Sequence, residues 1–383
     1  MWLYLLITLI TIVIACFVNN KEQVILSGEP KQVYRREGIT RRQGLNLLCL
    51  GAIFVILFLL SAFRLEVGND YGTYVDTIHE IYVGGYVVTE PLFNGIVRLL
   101  CELSGGENYL LVFAVFAFAT IALFLDVLYK QCDHFFSGFF LFMTLGIYFR
   151  TFNTVRYYFV LALTLYSFRY VLRREYGKFI LLIGLGALFH KSVLVVIPLY
   201  LLAVLPWKKW HVAAMTAVGA AAVVFQNQLI QLALFFYPSY RNTIYLETES
   251  GFKGNLMTLV RCGAVLVLGL YCYKESIEGK KENRFFFQLN LMSIGLYTFA
   301  SFLPLVGRIG YYLITSHMLF IPALLCGIKD GKKKKILTAA VVVACILYFL
   351  LFLRTANQEG VRVLPYKSWL FYEKEFLNAG QIF

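Results

Sequence analysis

The chain has 383 residues, 60% of them hydrophobic, and a mean hydropathy of +0.70. This composition excludes a soluble globular protein, because a folded surface needs more polar residues than remain here. The formal net charge is +13. We attribute most of it to cytoplasmic anchoring and to attraction to anionic lipid headgroups, which disfavours a nucleic-acid partner.

The hydrophobic residues fall into stretches that predict membrane helices. About twelve can be placed, at Met1–Val18, Leu45–Phe63, Tyr109–Tyr129, Phe135–Phe149, Tyr157–Leu172, Phe179–Phe189, Val193–Leu205, Val212–Phe235, Leu256–Tyr273, Phe285–Leu303, Ile309–Gly327 and Ile336–Leu353. We therefore predict an all-α polytopic membrane protein, with residues 1–383 forming a single integral membrane domain. Its long outer loops are expected at about 64–108 and 237–255.

Basic residues concentrate in every second connection between these stretches. If the amino terminus lies outside, the six cytoplasmic loops hold 21 of the 35 Lys and Arg residues. This asymmetry follows the positive-inside rule and predicts a multi-pass membrane protein with this topology. The pair of short stretches in 179–205 is predicted to be a hairpin or re-entrant pair, because one long helix would move the downstream basic loops to the outer face.

The outer face is rich in arginine, whereas lysine dominates the cytoplasmic loops. Before the C-terminal tail the outer cations are Arg64, Arg98, Arg150, Arg156, Arg241, Arg261, Arg308, Lys191 and Lys253. Arginine binds phosphate oxygens through two parallel bonds and keeps its charge when partly desolvated. The pattern is typical of a site for a lipid-linked phosphate or pyrophosphate. The alternative is that these arginines pair with Asp70, Glu80, Glu90 and lipid headgroups.

Three polar points lie at a similar predicted membrane depth. Arg156 opens the fifth stretch, Arg308 precedes the eleventh, and His190 with Lys191 separates the two short ones. A charge at this position is costly unless a partner or a water-filled cavity receives it. A single intramembrane histidine is often a hydrogen-bonded packing residue, but the coincidence of all three favours a functional site.

Two outer carboxylates are candidates for acid–base chemistry. Asp70 follows Gly68 and Asn69 just beyond the second stretch, and the glycine lets the chain approach a substrate closely. A carboxylate there could remove the proton from a sugar hydroxyl. Glu90 precedes Pro91, so it is either a second candidate or the start of a helix. The apolar positions after Pro91 predict that this helix is amphipathic.

The remaining chemical signals are few. Tyr71 and Tyr311 are among the many outer tyrosines, which fit either an interfacial aromatic belt or a surface that stacks on sugars. The sequence contains no CxxC pair, no glycine-rich nucleotide loop, no DxD motif and no histidine cluster, so it indicates no cofactor and no metal site. Scattered acidic residues could still bind a metal ion.

Several short motifs together resemble a known family. They are Asp70-Tyr71, Glu90-Pro91, Val155-Arg156, Phe189-His190-Lys191-Ser192 and Gly307-Arg308-Ile309-Gly310-Tyr311-Tyr312. Their order along nearly the whole chain resembles the EpsG-type branch of the Wzy-like polysaccharide polymerases. Tyr157 stands where members of that family commonly have glutamine.

The resemblance implies a polymerase of undecaprenyl-pyrophosphate-linked oligosaccharide units. It would act on the outer face of the bacterial cytoplasmic (inner) membrane, as a multi-pass protein, in capsule, exopolysaccharide or O-antigen synthesis. It implies a fold similar to that of the lipid-dependent, GT-C-like membrane glycosyltransferases. It also implies membrane lipids, a flippase and a chain-length regulator of the same pathway as partners. Asp70 would be the base, and Arg156 and Arg308, helped by His190, would hold the departing pyrophosphate.

Two other classes of protein remain open from the sequence. A polysaccharide transporter or flippase would be expected to show an inverted repeat, and none is evident. A membrane acyltransferase that modifies a glycan would need a histidine deep in the bundle, for which His317 is the candidate besides His190.

Overall fold

The computed structural model describes residues 1–20, 40–236, 250–303, 306–358 and 361–371. Over these residues the protein is helical and has no β-strand beyond an isolated bridge. The helices are α1 Trp2–Ala15, α2 Arg41–Ala62, α3 Tyr71–Val83, α4 Pro91–Leu103, α5 Tyr109–Gln131, α6 Phe135–Thr144, α7 Ile147–Arg150, α8 Val155–Leu172, α9 Tyr176–Ala187, α10 Val196–Val204, α11 Lys209–Val224, α12 Gln226–Phe236, α13 Ser250–Tyr271, α14 Lys281–Phe299, α15 Val306–Ile314, α16 His317–Gly327 and α17 Gly331–Thr355.

Four helical segments of the described chain are long and apolar enough to cross a membrane. They are Arg41–Ala62, Tyr109–Gln131, Val306–Gly327 and Gly331–Thr355, and the bent pair α11 and α12 makes a fifth if it counts as one span. Other apolar helices, such as α1, α6 and α9, are shorter. The protein is thus an all-α membrane protein, whereas the count of twelve spans stays a prediction.

Polar side chains set where several helices begin. Thr40 and Gln43 form a capping box at the start of α2, and Asn108 accepts a hydrogen bond of 2.9 Å from the Leu111 amide at the start of α5. Asp330 accepts from the Lys332 amide at 2.8 Å and so caps α17. These oxygens bind amide groups that have no partner within the helix.

Three predicted spans are interrupted in the structure. The stretch Val212–Phe235 bends by 83° between α11 and α12, just before the polar run 226–228. The stretch Phe135–Phe149 breaks at Gly146, which has a φ of +70° that favours glycine. The stretch Ile309–Gly327 turns at Thr315 and Ser316, whose hydroxyls bond back to carbonyl groups of the preceding helical turn.

The predicted break between two short helices in 179–205 is present. α9 ends at Ala187, and a 3₁₀ turn at Lys191–Val195 leads into α10. The rings of Phe179 in α9 and Tyr200 in α10 stack with centroids 6.1 Å apart. Because these two residues lie at similar distances on either side of His190, the helices fold back on each other as a hairpin.

One end of the bundle gathers the connections that matter for function, and we call it the site end. It contains the turn after α2, the start of α8, the turn after α9 and the start of α15, which contact each other through hydrogen bonds. Helices α3 and α4 pack here on α5 through a second apolar core that includes Tyr74, Phe93 and Phe113. The predicted amphipathic helix is α4, which buries Phe93 and Val97.

The segment after α17 returns to the site end. The Leu65 amide donates to the Lys367 carbonyl at 3.0 Å, and the Trp369 amide donates to the Phe63 carbonyl at 2.9 Å. The segment 361–371 therefore covers the end of α2 and contributes to the walls of the site.

Candidate functional site

A carboxylate joins three distant segments at the site end. Glu90 precedes α4, and its Oε2 forms an ion pair with the Arg156 guanidinium in the first turn of α8. Its Oε1 accepts a hydrogen bond of 3.0 Å from the Lys191 amide. The same oxygen lies 3.6 Å from Nδ1 of His190, an ion-pair distance but too long for a hydrogen bond. Glu90 therefore fixes Arg156 and the turn after α9 relative to each other.

The surroundings of Glu90 keep it ionised. Burial alone would raise its pKa, but the interactions with His190, the Lys191 amide and Arg156 outweigh burial and lower the pKa to about 2. A carboxylate with so low a pKa is a weak base at neutral pH. The contacts thus favour a positioning role for Glu90 over proton transfer.

Arg156 lies in an aromatic pocket beside Glu90. Its Cζ is 5.0 Å from the centroid of the Phe93 ring and 5.8 Å from that of Tyr74. Its backbone amide donates to the Tyr74 hydroxyl at 3.3 Å. The guanidinium is therefore oriented by both the carboxylate and the rings, although its buried Nε has no hydrogen-bond partner within the described chain.

His190 is 92% buried, with 8% of its surface exposed, and neither ring nitrogen has a hydrogen-bond partner among the described residues. Its ring lies edge-on to Tyr157, with centroids 5.7 Å apart. Burial lowers the pKa of His190, and the positive charges of Arg156 and Arg308 act in the same direction against Glu90. The ring is thus neutral at neutral pH, and both of its nitrogens are buried without a hydrogen bond among the described residues.

Tyrosines attach the start of α15 to this cluster. Tyr157 donates its hydroxyl hydrogen to the Arg308 carbonyl at 2.6 Å, and the hydroxyls of Ser192 and Tyr312 are 3.0 Å apart. Tyr200 donates to the Tyr312 carbonyl at 2.6 Å. The tyrosine in the position where glutamine is expected therefore holds Arg308 near Arg156 and His190.

Asp70 lies in a turn that packs against the residues before Arg156. Thr154 donates its hydroxyl hydrogen to Asp70 Oδ2 at 2.7 Å, and the Asn69 amide donates to Asn153 Oδ1 at 3.0 Å. Gly68 has a φ of +104°, and a Cβ there would lie 2.2 Å from the Phe152 carbonyl oxygen. The turn therefore needs glycine, and it places Asp70 beside the start of α8.

A polar depression of about 400 Å³ opens beside the turn that carries Asp70, and the Asp70 side chain is not among the residues that line it. Its lining combines two carboxylates, an amide, an arginine and a tyrosine with small and apolar residues. The residues are Glu66, Gly68, Asn69, Tyr71, Gly72, Val75, Asp76 and Arg362. Such a mixture of donors and acceptors suits a hydroxyl-rich ligand. Arg362 comes from the segment after α17, whose return to the site end no local sequence signal indicated.

The predicted site residues do not form one group. Arg150 and Arg261 lie away from the Glu90 cluster, against the rings of Tyr311 and Tyr348 respectively, at 5.8 and 5.6 Å from the ring centroids. Tyr71 is buried and stacks on Phe113, so only its edge reaches the depression. Lys191 contributes its backbone amide to Glu90. Arg241 and most of the predicted loop 237–255 lie outside the described residues.

The second histidine candidate, His317, is fully buried in α16. Its Nε2 is 2.9 Å from Oδ1 of Asn290, which makes it a hydrogen-bonded packing residue remote from the site end. Within the described ranges, no group of three or more His, Cys, Asp or Glu side chains is arranged to hold a metal ion.

Apolar helices long enough to cross a membrane, with partly buried arginines and a carboxylate gathered at one end, define an all-α membrane protein with a polar cluster at that end. The chain matches the EpsG family over residues 47–368, which is most of its length, and it belongs to that family. The matched range includes Asp70, Glu90, Arg156, His190 and Arg308. The family is associated with polysaccharide polymerisation. No curated protein and no solved structure matches the chain.

Proposed function

We propose that this protein polymerises polysaccharide from undecaprenyl-pyrophosphate-linked oligosaccharide units on the outer face of the bacterial cytoplasmic membrane. Membership of the EpsG family supports polymerisation in general. The observation that supports a lipid-linked substrate is the cluster of Arg156, Arg308 and His190 at one end of the bundle, where the neutral His190 ring makes no hydrogen bond within the described chain. Two guanidiniums and a ring that gains a proton beside an anion suit a pyrophosphate.

The orientation of the protein follows from charge. The site end lies opposite the lysine run Lys332–Lys335 at the start of α17. The positive-inside rule therefore supports an outer location of the site end. We keep about twelve membrane segments, several of them short or broken, and a fold similar to that of the GT-C-like glycosyltransferases as part of the proposal. A flippase and a chain-length regulator are the expected partners.

The proposed reaction is a transfer of a glycan between two lipid-linked molecules. A sugar hydroxyl of the acceptor attacks the anomeric carbon of the donor glycan, and the bond from that carbon to the pyrophosphate oxygen breaks. Asp70 accepts the hydroxyl proton, and the lipid pyrophosphate departs with the bonding electrons. The polar depression beside the Gly68–Tyr71 turn would hold the acceptor sugar.

The cationic residues would stabilise the leaving group. Arg308 and His190 would bind the pyrophosphate oxygens, and Glu90 would hold Arg156 at a fixed angle to them. Preorganised charges in a water-poor site are commonly the largest catalytic contribution. We assign proton transfer to Asp70 rather than Glu90, because the Glu90 carboxylate already pairs with Arg156 and accepts a hydrogen bond from the Lys191 amide.

The proposal is tested with purified protein in proteoliposomes and a purified lipid-linked repeat unit. The wild type should form a ladder of polymers and release one lipid pyrophosphate per step. The Asp70→Asn variant should lose roughly 10²–10⁴-fold in rate. Glu80 is an exposed carboxylate on α3, the helix that follows Asp70, and Glu80→Gln should act as the wild type does. A flippase would move the lipid without forming a ladder, and that outcome would replace the proposal.

Arg308 is tested by a substitution that keeps its charge. Arg308→Lys should lose about ten- to a hundredfold in rate, because a lysine cannot form the paired bonds to phosphate oxygens. Arg98→Lys, in an exposed ion pair on α4, is the matched control and should retain activity. Full activity of Arg308→Lys at normal protein levels would favour headgroup pairing as the role of this arginine.

A further inference from the structure

A long apolar groove lies between α13 and α17, outside the site described above. Its volume is about 640 Å³. Its walls extend over Met257–Tyr271 and Leu337–Leu351, which corresponds to roughly 21 Å along each helix. Leu145 and Ile321 form the floor. Several wall side chains, including Val260 and Val267, are more than half exposed at their outer edges, so the groove opens towards the surrounding lipid.

Arg261 interrupts this apolar lining. It is 91% buried, with 9% of its surface exposed, and its Nε has no hydrogen-bond partner in the described part of the chain. Its Cζ lies 5.6 Å from the centroid of the Tyr348 ring, and Tyr348 also lines the groove. A cation at this depth is costly unless an anion compensates it. The described ion pairs supply no carboxylate to Arg261.

One short helix, α15, lies between the groove and the proposed active site. On α15, Tyr312 contacts Ser192 and Tyr157, which belong to the Glu90 side. The neighbouring Tyr311 contacts Arg150 and interacts electrostatically with Arg261. The two faces of α15 therefore separate two cationic groups.

We propose that the groove binds the isoprenoid chain of a polyprenyl-phosphate lipid, with Arg261 neutralising its phosphate. This inference rests on the proposed function, because a transfer between two lipid-linked molecules needs two lipid sites. The apolar walls match an isoprenoid chain, and the buried cation matches its anionic head. One lipid would place its pyrophosphate against Arg308, and the second would lie in the groove on the other face of α15.

The test is a binding measurement that does not depend on polymer formation. Purified full-length protein in detergent is titrated with fluorescent polyprenyl phosphate, with the matching prenol that lacks phosphate, and with phosphatidylglycerol as competitor. The wild type should prefer polyprenyl phosphate to both. Arg261→Gln should weaken binding of the phosphate by about ten- to a hundredfold and leave prenol binding unchanged, which also shows that the variant is folded. Arg261→Lys should retain part of the affinity.

A matched pair on α17 tests the groove itself. Ala340 lines the groove, whereas its neighbour Ala339 does not. Ala340→Phe should reduce binding of both polyprenyl phosphate and prenol, and Ala339→Phe should bind as the wild type does.

Three results would overturn the inference. The first two are an unchanged affinity for polyprenyl phosphate in Arg261→Gln or in Ala340→Phe. The third is competition by phosphatidylglycerol as strong as by polyprenyl phosphate, which would indicate that the groove binds an ordinary bilayer lipid. Each leaves the polymerase proposal intact if the wild type still forms ladders. Tight, Arg261-dependent binding without any ladder would instead support the groove and refute the polymerase.

Discussion

The Glu90 carboxylate should contribute strongly to stability through its combined interactions with His190, the Lys191 amide and Arg156, and Glu90→Gln measures that contribution. The side chains of Glu90 and Arg156 are only 11% and 16% exposed. The pKa of Glu90 falls from its ordinary 4.5 to about 2, which corresponds to about 3 kcal/mol. Removal of one partner of a buried pair costs a similar ~3–5 kcal/mol, because the other charge stays buried without compensation. We therefore expect Glu90→Gln to lower the free energy of unfolding by about 3 kcal/mol.

Glu102→Gln is the matched control on the same helix α4. Glu102 pairs with Arg98, but the two side chains are 60% and 68% exposed. Exposed ion pairs contribute typically less than about 1 kcal/mol. The free energy of unfolding of each variant is measured in mixed micelles by titration with sodium dodecyl sulfate, followed by tryptophan fluorescence. Equal stabilities of Glu90→Gln and Glu102→Gln would refute the assignment of Glu90 as a buried anchor.

The pH dependence gives a second check with a defined sign. Because the folded-state pKa of Glu90 lies below its unfolded value, its contribution is present above about pH 4.5 and is lost as the pH falls towards 2. The difference between wild type and Glu90→Gln should narrow over that range. The double variant Glu90→Gln with Arg156→Gln should be less destabilised than the two single variants added together. Strict additivity would mean that the two side chains do not interact.

Three further outcomes follow from the structure. Gly68→Ala should destabilise the protein by about 1–3 kcal/mol, because a Cβ would lie 2.2 Å from a carbonyl oxygen at a φ of +104°. Gly72→Ala, which has open space around it, is the control and should be neutral. Similar thermal midpoints for both variants would contradict the close approach at Gly68. Because the pKa of His190 is lowered in the folded protein, the free energy of unfolding should fall as the pH drops below about 6.5. His190→Gln should flatten that part of the dependence of stability on pH. An unchanged dependence would show that the ring does not titrate there. Topology is tested in a variant without native cysteines, with an impermeant thiol reagent applied to intact cells. The reagent should label Tyr86→Cys, whose position is 89% exposed, and should not label Lys334→Cys. Labelling of Lys334→Cys from outside would mean that the topology is inverted.

The sequence by itself determined the class of protein and several local features. Hydrophobicity is a property of composition, so a helical membrane protein could be predicted without any contact between helices. The start of α4 at Pro91 and the break at His190 were also predictable, because proline favours the first helical turn and a His-Lys pair interrupts an apolar stretch. Three predicted spans are broken by polar residues or glycine, whose influence on a helix depends on packing.

The partners of the site residues were decided by the tertiary structure. From the sequence, Glu90 could be either the start of a helix or a catalytic base. Arg156 and His190 lie far from it along the chain, and only the tertiary structure showed that they contact its carboxylate. The predicted arginines divided into two groups because α15 presents Tyr311 and Tyr312 to different neighbours. The groove between α13 and α17 and the return of the segment 361–371 to the site end likewise depend on how helices pack. No local pattern encodes such contacts, because they form only when apolar faces distant in sequence are buried together.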